Sequence, residues 1–141
     1  MRHISLFLLI SLVSWSCSIQ SQEITYGKDA CHFCKMNIVD QQHASEIVSK
    51  KGKVFKYDSI ECLLQDEENN QTEKVALYLV MDYYKPNSFI DASKAIFLIS
   101  ENVPSPMGAY LSALSSKESA DKLQADERGN LYTWEEIQNQ F

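Results

Sequence analysis

The sequence lacks most of the features that decide a protein's class at a glance. It has no excess of positive charge: 13 Lys and Arg against 19 Asp and Glu leave a net charge of -6, and no basic patch marks a nucleic-acid surface. It has no apolar run long enough to cross a bilayer. The run at 4–13 is ten residues, about 15 Å as a helix against a hydrocarbon core of about 30 Å. There is no second C-x-x-C and no closely spaced histidine pair, so zinc would need Cys62, His32 or His43 brought in by folding. Attached haem needs C-x-x-C-H, and Lys35 occupies the histidine position.

What the N-terminus does have is an address. Arg2 and His3 precede the apolar run, which reads as a signal peptide over 1–16. It ends S-W-S-C, a small residue before Cys17 as in a bacterial lipobox, although Ser14 and Trp15 depart from the usual pattern. The expectation is that Cys17 carries lipid and that 17–29 is a polar tether; the alternative is ordinary secretion. Cys31, Cys34 and Cys62 then remain in an oxidising compartment. An odd number of thiols does not make a disulfide framework, so at least one stays free or binds metal.

The 30–141 region reads as one domain of class α+β, built from two ββαβ-like halves at about 30–85 and 86–141. Residues 43–49 and 53–58 are β-rich around Lys50, Lys51 and Gly52, which predicts a hairpin. Asp58 and Ser59 offer an N-cap to a helix on which Ile60, Leu63 and Leu64 recur, ending before a polar loop at 68–74. The unbroken apolar run 75–81 predicts a strand buried on both faces. After the break K-P-N-S at 85–88 the order repeats: strands at 95–100 and 110–114, a helix to about Glu127, and a strand at 131–134. A short C-terminal helix at 135–141 follows.

The chemistry concentrates in 26–40, Y-G-K-D-A-C-H-F-C-K-M-N-I-V-D, where Cys31, Cys34 and Met36 fall within six residues. Thiolate and thioether are soft donors that select Cu(I). In an extended chain the side chains at 34 and 36 share one face, with Cα atoms about 6.6 Å apart. A thioredoxin-like redox pair is the rival reading. It needs the first thiol at a helix N-terminus, and K-M-N-I-V-D has no clear helical face. Met107 stands in V-P-S-P-M-G, stiffened by Pro104 and Pro106 and released by Gly108; it is a ligand or a core filler. Cys62, between Ile60 and Leu63, reads as a small buried hydrophobe, and Asp58 and Asp91 as caps or braces.

Several segments, in order, resemble the NosL family of periplasmic copper-binding lipoproteins that accompany nitrous oxide reductase. They are C-K-M at 34–36, F-K-Y-D-S-I-E-C at 55–62, F-I-D-A-S-K-A-I-F-L-I at 89–99, P-M-G at 106–108 and G-N-L-Y-T-W-E-E at 129–136. The resemblance implies two ββαβ-like halves and a non-catalytic, lipid-anchored Cu(I) chaperone on the periplasmic side of the envelope. Its partner would be nitrous oxide reductase or the membrane complex that loads it. The implied ligands are Cys34, Met36 and Met107, then Cys31, with His43 and His32 more distant. Lys35 stands where the family's C-G-M has glycine. The alternatives are a thiol–disulfide oxidoreductase and a generic copper scavenger.

Overall fold

A computed structural model describes residues 18–69 and 74–141. The expected signal peptide, the lipidated Cys17 and residues 70–73 of the expected polar loop lie outside them. The class is α+β, as the sequence implies. β1 (Ser45–Ser49) and β2 (Val54–Tyr57) form the expected hairpin. Gly52 makes its turn at φ +80°, where a side chain would be strained. α1 (Ile60–Asn69) begins at the predicted cap, with the Cys62 N–H donating to Ser59 Oγ at 3.2 Å. β3 (Val75–Asp82) returns antiparallel to β1.

The structure corrects the next segment. K-P-N-S is no break, because Lys85–Asp91 is a strand, β4, paired with β3. The turn comes earlier, at Tyr83 and Tyr84. β4 is an edge strand, which is where a proline without an N–H is tolerated. The first half is therefore ββαββ, and the expected boundary at 85/86 falls at the start of a strand of the first sheet. The chain changes sheet after Asp91, through a short 3-10 turn at Ala92–Lys94.

The second half is ββαβ as read from sequence: β5 (Ile96–Ile99), β6 (Leu111–Leu114), α2 (Lys117–Glu127) and β7 (Asn130–Tyr132). The last short helix, α3, is Trp134–Gln138, and Thr133 and Glu136 close a capping box at its start. The strand orders are β2-β1-β3-β4 and β6-β5-β7. In each half the first strand sits between its hairpin partner and the strand that follows the helix, so the repeat lives in topology.

Two further expectations change. Only the second half of the apolar run is buried, from Leu79 onward; Val75 to Tyr78 are half-buried, and the Tyr78 hydroxyl donates to Glu67 of α1. Nor is 17–29 wholly a tether, since residues 22–29 lie against the first sheet. The Gln22 N–H donates to Glu46 Oε2 at 3.2 Å, and Lys56 Nζ donates to the Glu23 carbonyl at 2.6 Å and to Asp29 at 2.7 Å. Ile24 is buried there.

One core joins the halves: Tyr57, Ile60, Leu63 and Met81 from the first pack with Phe97, Leu111 and Ile137 from the second or its last helix. Emptying such a position costs about 2–5 kcal/mol, a large part of a small domain's stability. Polar bonds reinforce the seam, with the Tyr83 N–H to the Ala113 carbonyl at 2.9 Å and Ser115 Oγ to Asp82 Oδ2 at 2.6 Å. A smaller cluster of Leu98, Leu114, Ala120 and Leu123 lies under α2. Among the described residues no helix is long and apolar enough to cross a membrane.

Candidate metal centre

The sulfur loop is a tight, pinned turn. Ala30 and Asn37 form an antiparallel bridge, the Cys31 N–H donates to the Met36 carbonyl at 2.8 Å, and the Lys35 N–H donates to the Cys31 carbonyl at 3.1 Å. Lys35 has φ +66°, a left-handed conformation that costs a residue with a Cβ on the order of 1 kcal/mol. This accounts for the glycine that the resemblance places there. It also corrects the extended-chain geometry expected for Cys34 and Met36: the chain between them turns. The Lys35 ammonium closes back on the His32 carbonyl.

A backbone bond registers this loop against the rest of the fold. The His32 N–H donates to the Lys56 carbonyl at 2.7 Å, two residues before Asp58. β2 ends at Tyr57, Asp58 and Ser59 turn the chain, and Cys62 falls in the first turn of α1. The loop thus sits over a helix N-terminus, where negative charge is favoured. Ligand atoms of Cys31, Cys34, Asp58 and Cys62 all lie within 4.8 Å of one another.

The four differ in access and in charge. Cys31, Asp58 and Cys62 are buried, while Cys34 is half-exposed at the mouth, its Sγ 3.6 Å from Asp58 Oδ1. The Cys31 thiol is pushed down to about 6. The Cys62 S–H donated to it is the main cause, joined by the N–H groups of Asp58, Cys34 and Phe33 against the opposing effect of burial. Cys62 moves the other way, its proton held by Cys31 and by Asp58 as burial disfavours its thiolate. Burial first, then the Cys31 neighbour, raises the Cys34 thiol. The pocket therefore favours the thiolate at Cys31 over one at Cys34 or Cys62.

Of the residues expected from sequence, Cys31 and Cys34 come together. Cys62 and Asp58 join them, correcting the readings of Cys62 as a plain hydrophobe and of Asp58 as a brace alone. Met36 is half-exposed beside the turn, at 50 %. Met107 is 37 % exposed, which is not the position of a core filler. Its loop is tied to the same end of α1, since Ser105 Oγ donates to the Glu61 carboxylate and accepts the Tyr110 N–H at 2.9 Å. Gly108 follows at φ +76°. Neither distant histidine joins. His43 is buried with Nδ1 2.8 Å from Asp40 Oδ1 and Nε2 3.1 Å from Ser112 Oγ, so both ring nitrogens are engaged. His32 packs on Phe55 at 4.8 Å between ring centres. Asp91 caps the 3-10 turn, as expected.

Three thiols and a carboxylate converging in a partly buried pocket suit a thiophilic cation. Comparison with known proteins points the same way. The family model for NosL matches residues 23–141. Among solved structures, the chain is similar to the copper chaperone NosL from Shewanella denitrificans, with a TM-score of 0.73 and 26% identity over 84% of this chain and 96% of that one. A search of curated proteins finds no match.

Proposed function

The chain belongs to the NosL family, and on that premise we propose that it is a non-catalytic copper chaperone. It binds Cu(I) as cargo through Cys34, Cys31, Met36 and Met107 and delivers it for the copper–sulfide centre of nitrous oxide reductase, either directly or through the complex that loads the enzyme. A lipid on Cys17 holds it to a membrane on the periplasmic side. The observation that carries this reading is the inward gradient of sulfur donors at one end of α1. Cys31, its thiol shifted toward the thiolate, lies buried at the base, Cys34 stands at the mouth, and Met36 lies exposed outside.

Each donor has a part in loading and release. Cys31, the thiol whose proton is most readily lost, fixes the ion's inner bond. Cys34 gives up its proton as the ion arrives, and the negative charge gathered in the pocket falls with each bond to the cation. The thioethers of Met36 and Met107 carry no proton and bind more loosely. An incoming partner thiolate can replace them one at a time, so tight holding and transfer are compatible.

The same gradient argues against a thiol–disulfide enzyme. Such an enzyme presents its acidic thiol to a client's disulfide. Here the acidic thiol, Cys31, is 1% exposed, and the accessible one, Cys34, is raised.

Anaerobic titration of the reduced protein with Cu(I) against a competing chelator tests the reading. The expected result is one Cu(I) per chain, and absence of competitive binding rejects it. Transfer of that copper to apo nitrous oxide reductase or its loading complex separates a chaperone from a scavenger. Cys17→Ala should move the protein from the membrane to the soluble periplasmic fraction; unchanged membrane retention removes the anchor from the proposal.

A further inference from the structure

Away from the thiols, the first sheet leaves part of one face open. Ile47, Phe55 and Tyr78 stand opposite one another on β1, β2 and β3. The end of α1 reaches over this face at two points. Asp66 accepts the Tyr57 hydroxyl at 2.7 Å, and Glu67 accepts that of Tyr78. Beside these bonds lies a groove of about 1070 Å³, with Ile47 buried at its floor and Phe55 and Tyr78 half-buried in it. Pockets for small ligands run to about 300–1,000 Å³, so this one has room for more.

Four lysines line the groove against two acids, in a chain whose net charge is -6. Both acids are engaged by tyrosine hydroxyls. Lys50 and Lys74 are exposed and held side by side, the Lys50 N–H donating to the Lys74 carbonyl at 2.8 Å. Ammonium groups on neighbouring residues repel, and an anion between them relieves the repulsion. Lys53 Nζ lies 4.3 Å from the centre of the Phe55 ring, and His32 packs on the same ring. Lys35 ends the row on the sulfur turn. Its left-handed backbone and its bond to the His32 carbonyl set a positive charge one residue from Cys34, where the resemblance has glycine.

The charges are strung along the groove, whereas a single small anion needs them gathered at a point. From Lys53 to Tyr57 the strand runs about 13 Å, room for about four residues of extended chain. A recessed apolar floor also suits an inserted side chain better than a bilayer surface. We propose that this groove docks an acidic, extended segment, carrying an aromatic or aliphatic side chain, of the protein that exchanges copper with this one. Its carboxylates lie along Lys50, Lys74 and Lys53, its apolar side chain enters beside Phe55 and Tyr78, and its backbone leaves past Lys35 toward Cys34. The partner's role rests on the chaperone reading; the groove adds a grip that selects the partner by charge before copper moves.

A fluorescently labelled Glu-rich peptide with one Phe is the probe, added to the reduced, metal-free protein. Saturable binding that weakens as salt rises is expected, and the same peptide with Gln for Glu should bind at least about tenfold more weakly. Lys50→Glu with Lys74→Glu should cost at least about tenfold in affinity, while Lys85→Glu with Lys94→Glu, at exposed positions outside the groove, should stay within about twofold. Absence of saturable binding overturns the proposal, as does equal binding of the Gln peptide or equal loss in the two double variants. Phosphatidylglycerol vesicles bound in place of the peptide would assign the lysines to a lipid surface. Self-association in sedimentation that Lys50→Glu with Lys74→Glu abolishes would assign them to a second copy, and either result overturns the proposal. Should the charge reversal fail to fold by circular dichroism, Lys50→Ala with Lys74→Ala takes its place. Cu(I) titration of the same preparation separates the two readings. Copper binding without peptide binding sinks only this proposal, and peptide binding without copper sinks only the chaperone.

Discussion

The two halves place the same structure at the same point, and among the described residues only the first gathers a candidate metal-binding set there. α1 starts after Asp58 and Ser59 with Cys62 at its third position; α2 starts after Ser115 and Ser116 with Ser119 there. Both caps work identically, each serine oxygen accepting the third-residue N–H at 3.2 Å. The strands correspond too. Register sets Ser45 against Tyr57 and Ile96 against Leu114, which makes Glu46 the counterpart of Phe97. Both are fully buried on the face away from the helix, one a carboxyl and one a benzyl group. A helix N-terminus is thus a permissive position and no more. What distinguishes α1 is a covering loop with two thiols, together with Asp58 and Cys62 beneath it.

Removing the thiol at the mouth should erase that distinction most completely. Cys34→Ser is expected to lower Cu(I) affinity by at least about 100-fold, beyond the usual cost of disturbing an outer-shell partner. Competition titration measures it, and a loss under about tenfold takes Cys34 out of the site.

Met107→Ala comes next, because it tests whether the second half contributes to the first half's pocket. Cu(I) affinity should fall about tenfold while the melting temperature of the apo protein barely moves. A core methionine would instead cost about 2–5 kcal/mol of stability and leave affinity alone. Its exposure of 37% supports the first outcome.

Glu46 probes the comparison through pH. Burial raises its carboxyl from 4.5 to about 7, over the smaller lowering effects of the Gln22 N–H and Lys56. The folded state therefore binds a proton that the unfolded chain has lost, so this residue's contribution falls as pH rises from about 4.5 to 7. Glu46→Gln keeps an acceptor for Gln22 and should raise the melting temperature at pH 8 while changing little at pH 4. An equal shift at both values would show that Glu46 titrates alike in the folded and unfolded chain.

The smallest effect is expected from imitation. Ser115→Asp with Ser119→Cys copies the α1 residues onto α2, where no loop covers them. It should bind no Cu(I) beyond the one equivalent expected of the unaltered protein, and a second equivalent would show that the helix end suffices.

How far the sequence foretold this arrangement follows from what is local. Gly52 in the hairpin and Ser59 as a cap are read within a few residues of themselves, and each is where the pattern puts it. β4 escaped because Pro86 reads as a stop when its place in the sheet is unknown; at an edge it breaks no ladder bond. Cys62 escaped for a related reason. Helical spacing among Ile60, Leu63 and Leu64 says that a cysteine there is buried, and burial alone does not distinguish a hydrophobe from a ligand. The contact that decides is the bond from His32 to Lys56, between residues 24 apart in sequence, which no periodicity encodes. Lys35 was visible as a departure from glycine, but its backbone angle was not.

Lys56 carries a last consequence. Its ammonium grips Glu23 and Asp29, while its carbonyl holds His32, so one residue of β2 fastens the chain on both sides of residue 30. Any pull on the polypeptide ahead of residue 22 is taken up by the first of these grips before it reaches Cys31. Force enters the sheet sideways through β1 and β2, and the sulfur turn downstream stays slack. Displacement of the chain ahead of residue 22 therefore meets the Lys56 grips before it meets the thiols.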